Sequence, residues 1–142
     1  MSLFGKMFKR PVKPTVDDPV FGKIEFTSKY GVDMWCHTPT EPEGHMILVD
    51  APLSGPTDAQ RRFYSQLLAL LAERETECKA FISAQKSSPA TLEQMEVYLV
   101  EIGPDNAIAC GEFVIELADK AAIEIHRVEF RDGKPEVYRV DD

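Results

Sequence analysis

The sequence has no run close to the roughly 18 apolar residues that a membrane-crossing helix needs. The longest candidate, 67–72, is closed by Gln66 and Glu73. Its N-terminal residues mix Lys6, Lys9 and Arg10 with Leu3, Phe4, Met7 and Phe8 but lack an apolar core of signal-peptide length and a small-residue cleavage site. The expected location is therefore cytoplasmic. Cysteine is scarce, with Cys36, Cys78 and Cys110 widely spaced and odd in number, which excludes a secreted disulfide framework and reads as free, mostly buried thiols. There is no Cys-x-x-Cys or His-x-x-x-His pair, so no metal site is expected. Glycine-rich phosphate loops and a serine nucleophile elbow are missing too, and no cofactor is expected.

Positive charge is in short supply where it would matter for nucleic acid. The chain carries 16 basic and 24 acidic side chains, and the imbalance deepens along its length. Residues 1–14 hold Lys6, Lys9, Arg10 and Lys13 with no acid, whereas residues 89–142 hold 5 basic and 13 acidic side chains. An acidic half of this kind repels phosphates, so no nucleic-acid partner is expected; a basic protein partner is.

At 142 residues the chain is long enough for one core without staples. Pro11 and Pro14 and the basic excess mark residues 1–16 as a flexible arm, leaving 17–142 as a single α+β domain. Strand formers occupy 20–26, 30–37 and 45–50, joined by short polar connections. Thr57 followed by Gln60 fits a capping box, with Asp58 complementing the helix dipole. Apolar residues at helical spacing then run from Phe63 to Ile82. A helical segment of that length predicts either one long helix or a break near residues 73–76. Strand signals return at 94–102, 108–117, 121–130 and 136–140, with Asp132-Gly133 as a turn. In the penultimate strand Ile123 and Ile125 fall on one face and Val128 and Phe130 on the other, which predicts a bulge near residues 126–127. The expected architecture is α+β: about three strands, a helical segment and about four strands in a mainly antiparallel sheet with helix on one face.

Carboxylates are the most plentiful chemical resource. Glu112 and Glu116 share a face of the strand expected over 108–117, and Glu124 and Glu129 lie on the next. Together with Trp35, read either as core or as an interface anchor, they are the candidate partner-binding residues. The cysteines and histidines sit in apolar-periodic segments or beside loops, so no catalytic residue is assigned.

Asp18-Pro19-Val20-Phe21-Gly22-Lys23, Trp35 and Gly55-Pro56-Thr57-Asp58-Ala59-Gln60-Arg61 make residues 1–75 resemble a group of small bacterial proteins of unassigned function. These open with a Leu-Phe-Gly-Lys type leader and enter a helix at Gly-Pro-Thr or Gly-Pro-Ser. The resemblance implies a non-enzymatic cytosolic protein, in the manner of compact acidic immunity proteins that neutralise toxins. The leading expectation is a protein-interaction module. Its rivals are a hydrolase-type enzyme and a small-molecule binding domain, either with a site assembled only in three dimensions.

Overall fold

The computed structural model describes residues 13–29, 31–41, 44–85, 89–121 and 124–141. Four strands come first: β1 (Thr15–Asp18), β2 (Gly22–Lys29), β3 (Val32–His37) and β4 (Met46–Asp50). Helices α1 (Asp58–Ala69) and α2 (Leu71–Ser83) follow, then a single 3₁₀ turn at Leu92–Gln94. The second half runs β5 (Glu96–Ile102), a one-turn helix α3 (Asp105–Ala109), β6 (Phe113–Ala118), β7 (Ile125–Arg131) and β8 (Lys134–Asp141). All eight strands form one sheet in chain order, antiparallel everywhere except at β4–β5, which pair in parallel.

Several boundaries differ from the sequence expectation. Residues 1–12 of the expected arm lie outside the described residues. Its last two, Thr15 and Val16, pair with Glu25 and Ile24, so the first half contributes four strands. The helical segment breaks at Leu70, whose ψ of 13° and bonds to the Leu67 and Leu68 carbonyls interrupt the helical ladder. The charged stretch where the break was expected stays helical, held by Arg74–Glu77 and Glu75–Lys79 pairs at helical spacing. Residues 108–117 are not one strand: α3 occupies 105–109, and Gly111, at φ +67°, turns the chain into β6. Only glycine fits there, because a Cβ would lie 2.5 Å from the Gly133 amide nitrogen.

The bulge expected near residues 126–127 is absent, since β6 and β7 pair without a slip from Phe113↔Phe130 to Ala118↔Ile125. His126 itself takes the inward position, in phase with Val128 and Phe130. Its Nδ1 lies 2.7 Å from the Tyr138 hydroxyl, which satisfies one of the two buried ring nitrogens. Ile123 lies outside the described residues. The register shifts occur elsewhere, between Val97 and Leu99 and between Glu129 and Phe130.

Strand alternation sorts the sheet into two faces. On the inner face a row crosses six strands as Phe26, Trp35, Val49, Ile102, Phe113 and Phe130. Tyr64 and Leu67 of α1 and Cys78 and Ile82 of α2 join the same buried cluster. The capping box is present as expected: Gln60 N donates to Thr57 Oγ1 at 3.1 Å, and Thr57 N donates to Gln60 Oε1 at 2.9 Å. Gln60 does more than cap. It is buried, and its Nε2 donates to the carbonyls of Asp50, the last residue of β4, and Gly103, which directly follows β5.

Thr57 Oγ1 also donates to Asp105 at 2.6 Å, tying α1 to α3. Thr57→Ala removes both side-chain bonds and is expected to cost about 1–2 kcal/mol. Urea denaturation checks it: an unchanged midpoint would mean that water replaces the cap at no cost.

Candidate functional site

The outer face of the sheet carries none of the side chains that bury α1 and α2. One row runs across all eight strands as Thr15, Glu25, Cys36, Leu48, Glu101, Val114, Glu129 and Val137. The row beside it reads Met46, Leu99, Glu116, Arg127 and Arg139. Apolar side chains, Leu99 buried and Met46, Leu48, Val114 and Val137 half-buried, thus frame a compact set of charges over β5 to β8.

Arg127 is the hub of that set. Its NH1 lies 2.9 Å from Glu101 and 3.4 Å from Glu116, and its Nε lies 3.7 Å from Glu129. Arg139, directly opposite Arg127 on β8, reaches Glu129 at 3.9 Å. Two guanidiniums placed opposite one another would repel, and the three carboxylates are what make the pairing tolerable. The second oxygen of Glu129, Oε2, is buried and accepts no hydrogen bond.

Burial pushes the Glu116 carboxyl above its ordinary value; Arg127 opposes the rise, and Asp141 and Glu101 add to it. For Arg127 burial works to lower the pKa, but the Glu101 hydrogen bond and the charges of Glu101, Glu116 and Glu129 outweigh it, so the guanidinium is held above its usual value. A carboxyl raised on folding contributes stability that is complete below its unfolded pKa, near 4.5. That contribution is lost as pH rises through the folded value. Glu116→Gln is therefore expected to change stability at neutral pH by less than about 1 kcal/mol and to remove this decline. Denaturation midpoints measured from pH 4 to 8 check it, and a loss above about 2 kcal/mol at neutral pH would show that the charge is needed for the fold.

The sequence candidates are only partly brought together. Glu116 and Glu129 meet at Arg127, paired rather than bare. Glu112 precedes β6, is exposed, and borders a cavity of about 190 Å³ with Glu101, Val114, Glu129 and Arg131. Glu124 stands apart, its Oε2 3.5 Å from His126 Nε2. Trp35 is no surface anchor: it is 1 % exposed, and its indole Nε1 donates to the Pro52 carbonyl at 2.8 Å. Its parity puts it on the inner face, where the packed row needs a large side chain. One member of the network, Glu101, was not singled out from sequence. The available signal was the alternation in β5, where Leu99 and Glu101 lie out of phase with Val100 and Ile102.

Burial pushes the Cys78 thiol up to about 12, with Glu77 and Glu75 adding to it, and pushes the Tyr64 hydroxyl up to about 12. Tyr64 lies 2.9 Å from His45 Nε2, and burial, then the His37 charge, lowers the His45 pKa. At neutral pH this is a neutral hydrogen-bonded pair rather than an activated nucleophile. His45 borders a broad groove of about 1010 Å³ between α2, the start of β5 and the residues after β6. Among the described residues no three His, Cys, Asp or Glu side chains converge as a metal site. No helix among them is long and apolar enough to cross a membrane. No known protein family, curated protein or solved structure matches the chain.

Proposed function

We propose, from geometry alone since no relative lends an activity, that this protein is a non-catalytic cytoplasmic interaction module whose outer sheet face takes a cationic protein segment. The observation that carries this reading is the Arg127 network. Three carboxylates share one internal guanidinium and the edge of a second, on a face flanked by Leu48, Leu99, Val114 and Val137. An arginine or lysine from a partner would share the excess negative charge of Glu101, Glu116 and Glu129, while apolar side chains beside it would cover the half-buried Leu48, Val114 and Val137. The chain's net charge of −8 would speed the encounter. A toxin-neutralising or other regulatory role is the concrete form that the resemblance to small bacterial proteins suggests.

A photoreactive amino acid placed in vivo at Val114, with Leu68 on the exposed side of α1 as the control, tests the reading. A discrete protein adduct from Val114 alone is expected, lost in the Glu101→Gln, Glu116→Gln variant and weakened as ionic strength rises. Equal labelling from both positions would overturn the reading, as would an adduct indifferent to salt and to the double substitution.

A further inference from the structure

We propose that the free edge of β8 pairs with β8 of a second copy of the chain, antiparallel about a twofold axis at Tyr138, joining two eight-stranded sheets into one. β8 is the last strand of the sheet and pairs with β7 on one side only. Such an edge presents a row of backbone N–H and C=O groups ready for another strand. β1, the opposite edge, offers 4 residues, whereas β8 offers 8.

The charges along β8 select the partner. They alternate in sign as Lys134, Glu136, Arg139 and Asp141, an order that becomes its own opposite when the strand is read backwards. Antiparallel pairing of β8 with itself therefore sets Lys134 against Asp141 of the second copy, and Glu136 against Arg139. Each contact occurs twice, once on either side of the axis. All four side chains are exposed. The contacts that Arg139 and Glu136 make within the chain are long, 3.9 Å to Glu129 and 3.6 Å to Arg131.

Faces must match as well as charges, because residues directly opposite in an antiparallel pair point to the same side. Lys134 and Asp141 differ by an odd number of positions, which in a regular strand would put them on opposite faces. The bulge in β8 corrects this. Val137 stands opposite Glu129 and Pro135 opposite Phe130, so Glu136 is one extra residue, and Lys134 comes to the outer face with Arg139 and Asp141. On the inner face the same register lays Val140, an apolar side chain 46 % exposed, beside Pro135 of the second copy. Tyr138 meets its own counterpart. A slip of one pleat either way keeps the faces matched but sets like charges together. One slip places Arg139 against Arg139 and Glu136 against Asp141; the other places Lys134 against Arg139 and Glu136 against Glu136. A bulge and a proline discourage strands of arbitrary sequence at an edge. Here Pro135 lies towards the ends of the paired stretch, where its missing N–H removes at most one ladder bond per strand.

The two outer faces then run together, with the Arg127 hubs three strand spacings, about 14 Å, apart across the strands. The dimer requires no particular ligand on that face and stands or falls independently of the function proposed above.

Sedimentation velocity of the full chain over a concentration series, with circular dichroism to confirm folding, tests the pairing at about 0.15 M salt, where the net charge of −8 on each copy is largely screened. A reversible dimer is expected. Arg139→Glu and Glu136→Arg each set like charges opposite across the axis, so each variant alone is expected to dimerise at least about tenfold more weakly. Mixed in equal amounts, they restore both pairs in a heterodimer, which native mass spectrometry should find in preference to either homodimer. On the natural chain, carbodiimide coupling is expected to join Lys134 to Asp141. That amide forms only between copies, because the two ends of β8 stand about 20 Å apart. A natural chain that stays monomeric up to about millimolar concentration overturns the proposal. Single variants that dimerise as tightly as the natural chain overturn it too, as does a mixture that associates no better than its components. Should either reversal unfold the chain, the presence or absence of the Lys134–Asp141 amide decides.

Discussion

Trp35→Ala is expected to cost about 3–5 kcal/mol, because it empties the centre of the inner face and the surrounding strands cannot collapse to refill it. The ring packs 5.2 Å from the half-buried Phe26, centroid to centroid, and sits between Phe26 and Val49 in a row that continues through the buried Ile102, Phe113 and Phe130. Its indole N–H also satisfies the Pro52 carbonyl just beyond β4. Trp35→Phe keeps part of the volume and loses that bond, so a smaller loss of about 1–3 kcal/mol is expected. Since Trp35 is the sole tryptophan, circular dichroism rather than intrinsic indole emission should follow the urea transitions. A loss below about 1 kcal/mol for the alanine variant would mean that the site repacks, contrary to the burial seen.

Asp18→Asn is expected to cost about 2–4 kcal/mol. The carboxylate is 1 % exposed, accepts the amides of Val20 and Phe21 at 3.0 Å each, and is gripped by Arg61 Nε and NH2 at 2.9 Å. Burial alone would raise its pKa. The Arg61 hydrogen bond, the Phe21 and Val20 amides and the Arg61 charge together outweigh burial and hold it below the usual value. A carboxyl depressed on folding contributes stability that is present above its unfolded pKa, near 3.8, and is lost as pH falls through the folded value. Part of the acid sensitivity below about pH 4 should therefore vanish in Asp18→Asn. Acid titration of both proteins, with an Asp18–Arg61 double-mutant cycle, measures it; an acid limb identical in the two would show that other carboxylates carry the transition.

What could be read in the sequence follows from how local each cause is. The Thr57–Gln60 box and the Asp132-Gly133 turn, with φ of 52° and 72°, depend on residues that touch their near neighbours, and both stand as expected. β1 and α3 were missed because Thr15-Val16-Asp17-Asp18 and Asp105-Asn106-Ala107 have weak intrinsic preferences and take their structure from what they pair with or pack on. The Arg127 network was only half legible. Glu116 and Glu129 stood out as carboxylates on strands, but Glu101 and Arg127 join them only once the β5–β6 and β6–β7 registers are fixed, and register is set by the whole sheet. Trp35 resolved toward the core for the same reason: one step of alternation decides the face.

The parallel pairing of β4 with β5 splits the molecule into two ribbons of four strands, each made only of neighbours in the chain. Within a ribbon the strands can zip from hairpins on the microsecond scale. Joining the ribbons must instead bring Met46 to Leu99, closing a far longer loop before any contact rewards it. The seam, and Gln60 that staples its end, should therefore form after the rate-limiting barrier. Gln60→Ala should steepen the loss of native protein by speeding unfolding while leaving the refolding rate nearly untouched. In kinetic terms the molecule has a designated place to come apart, and it lies between β4 and β5 rather than at either edge of the sheet.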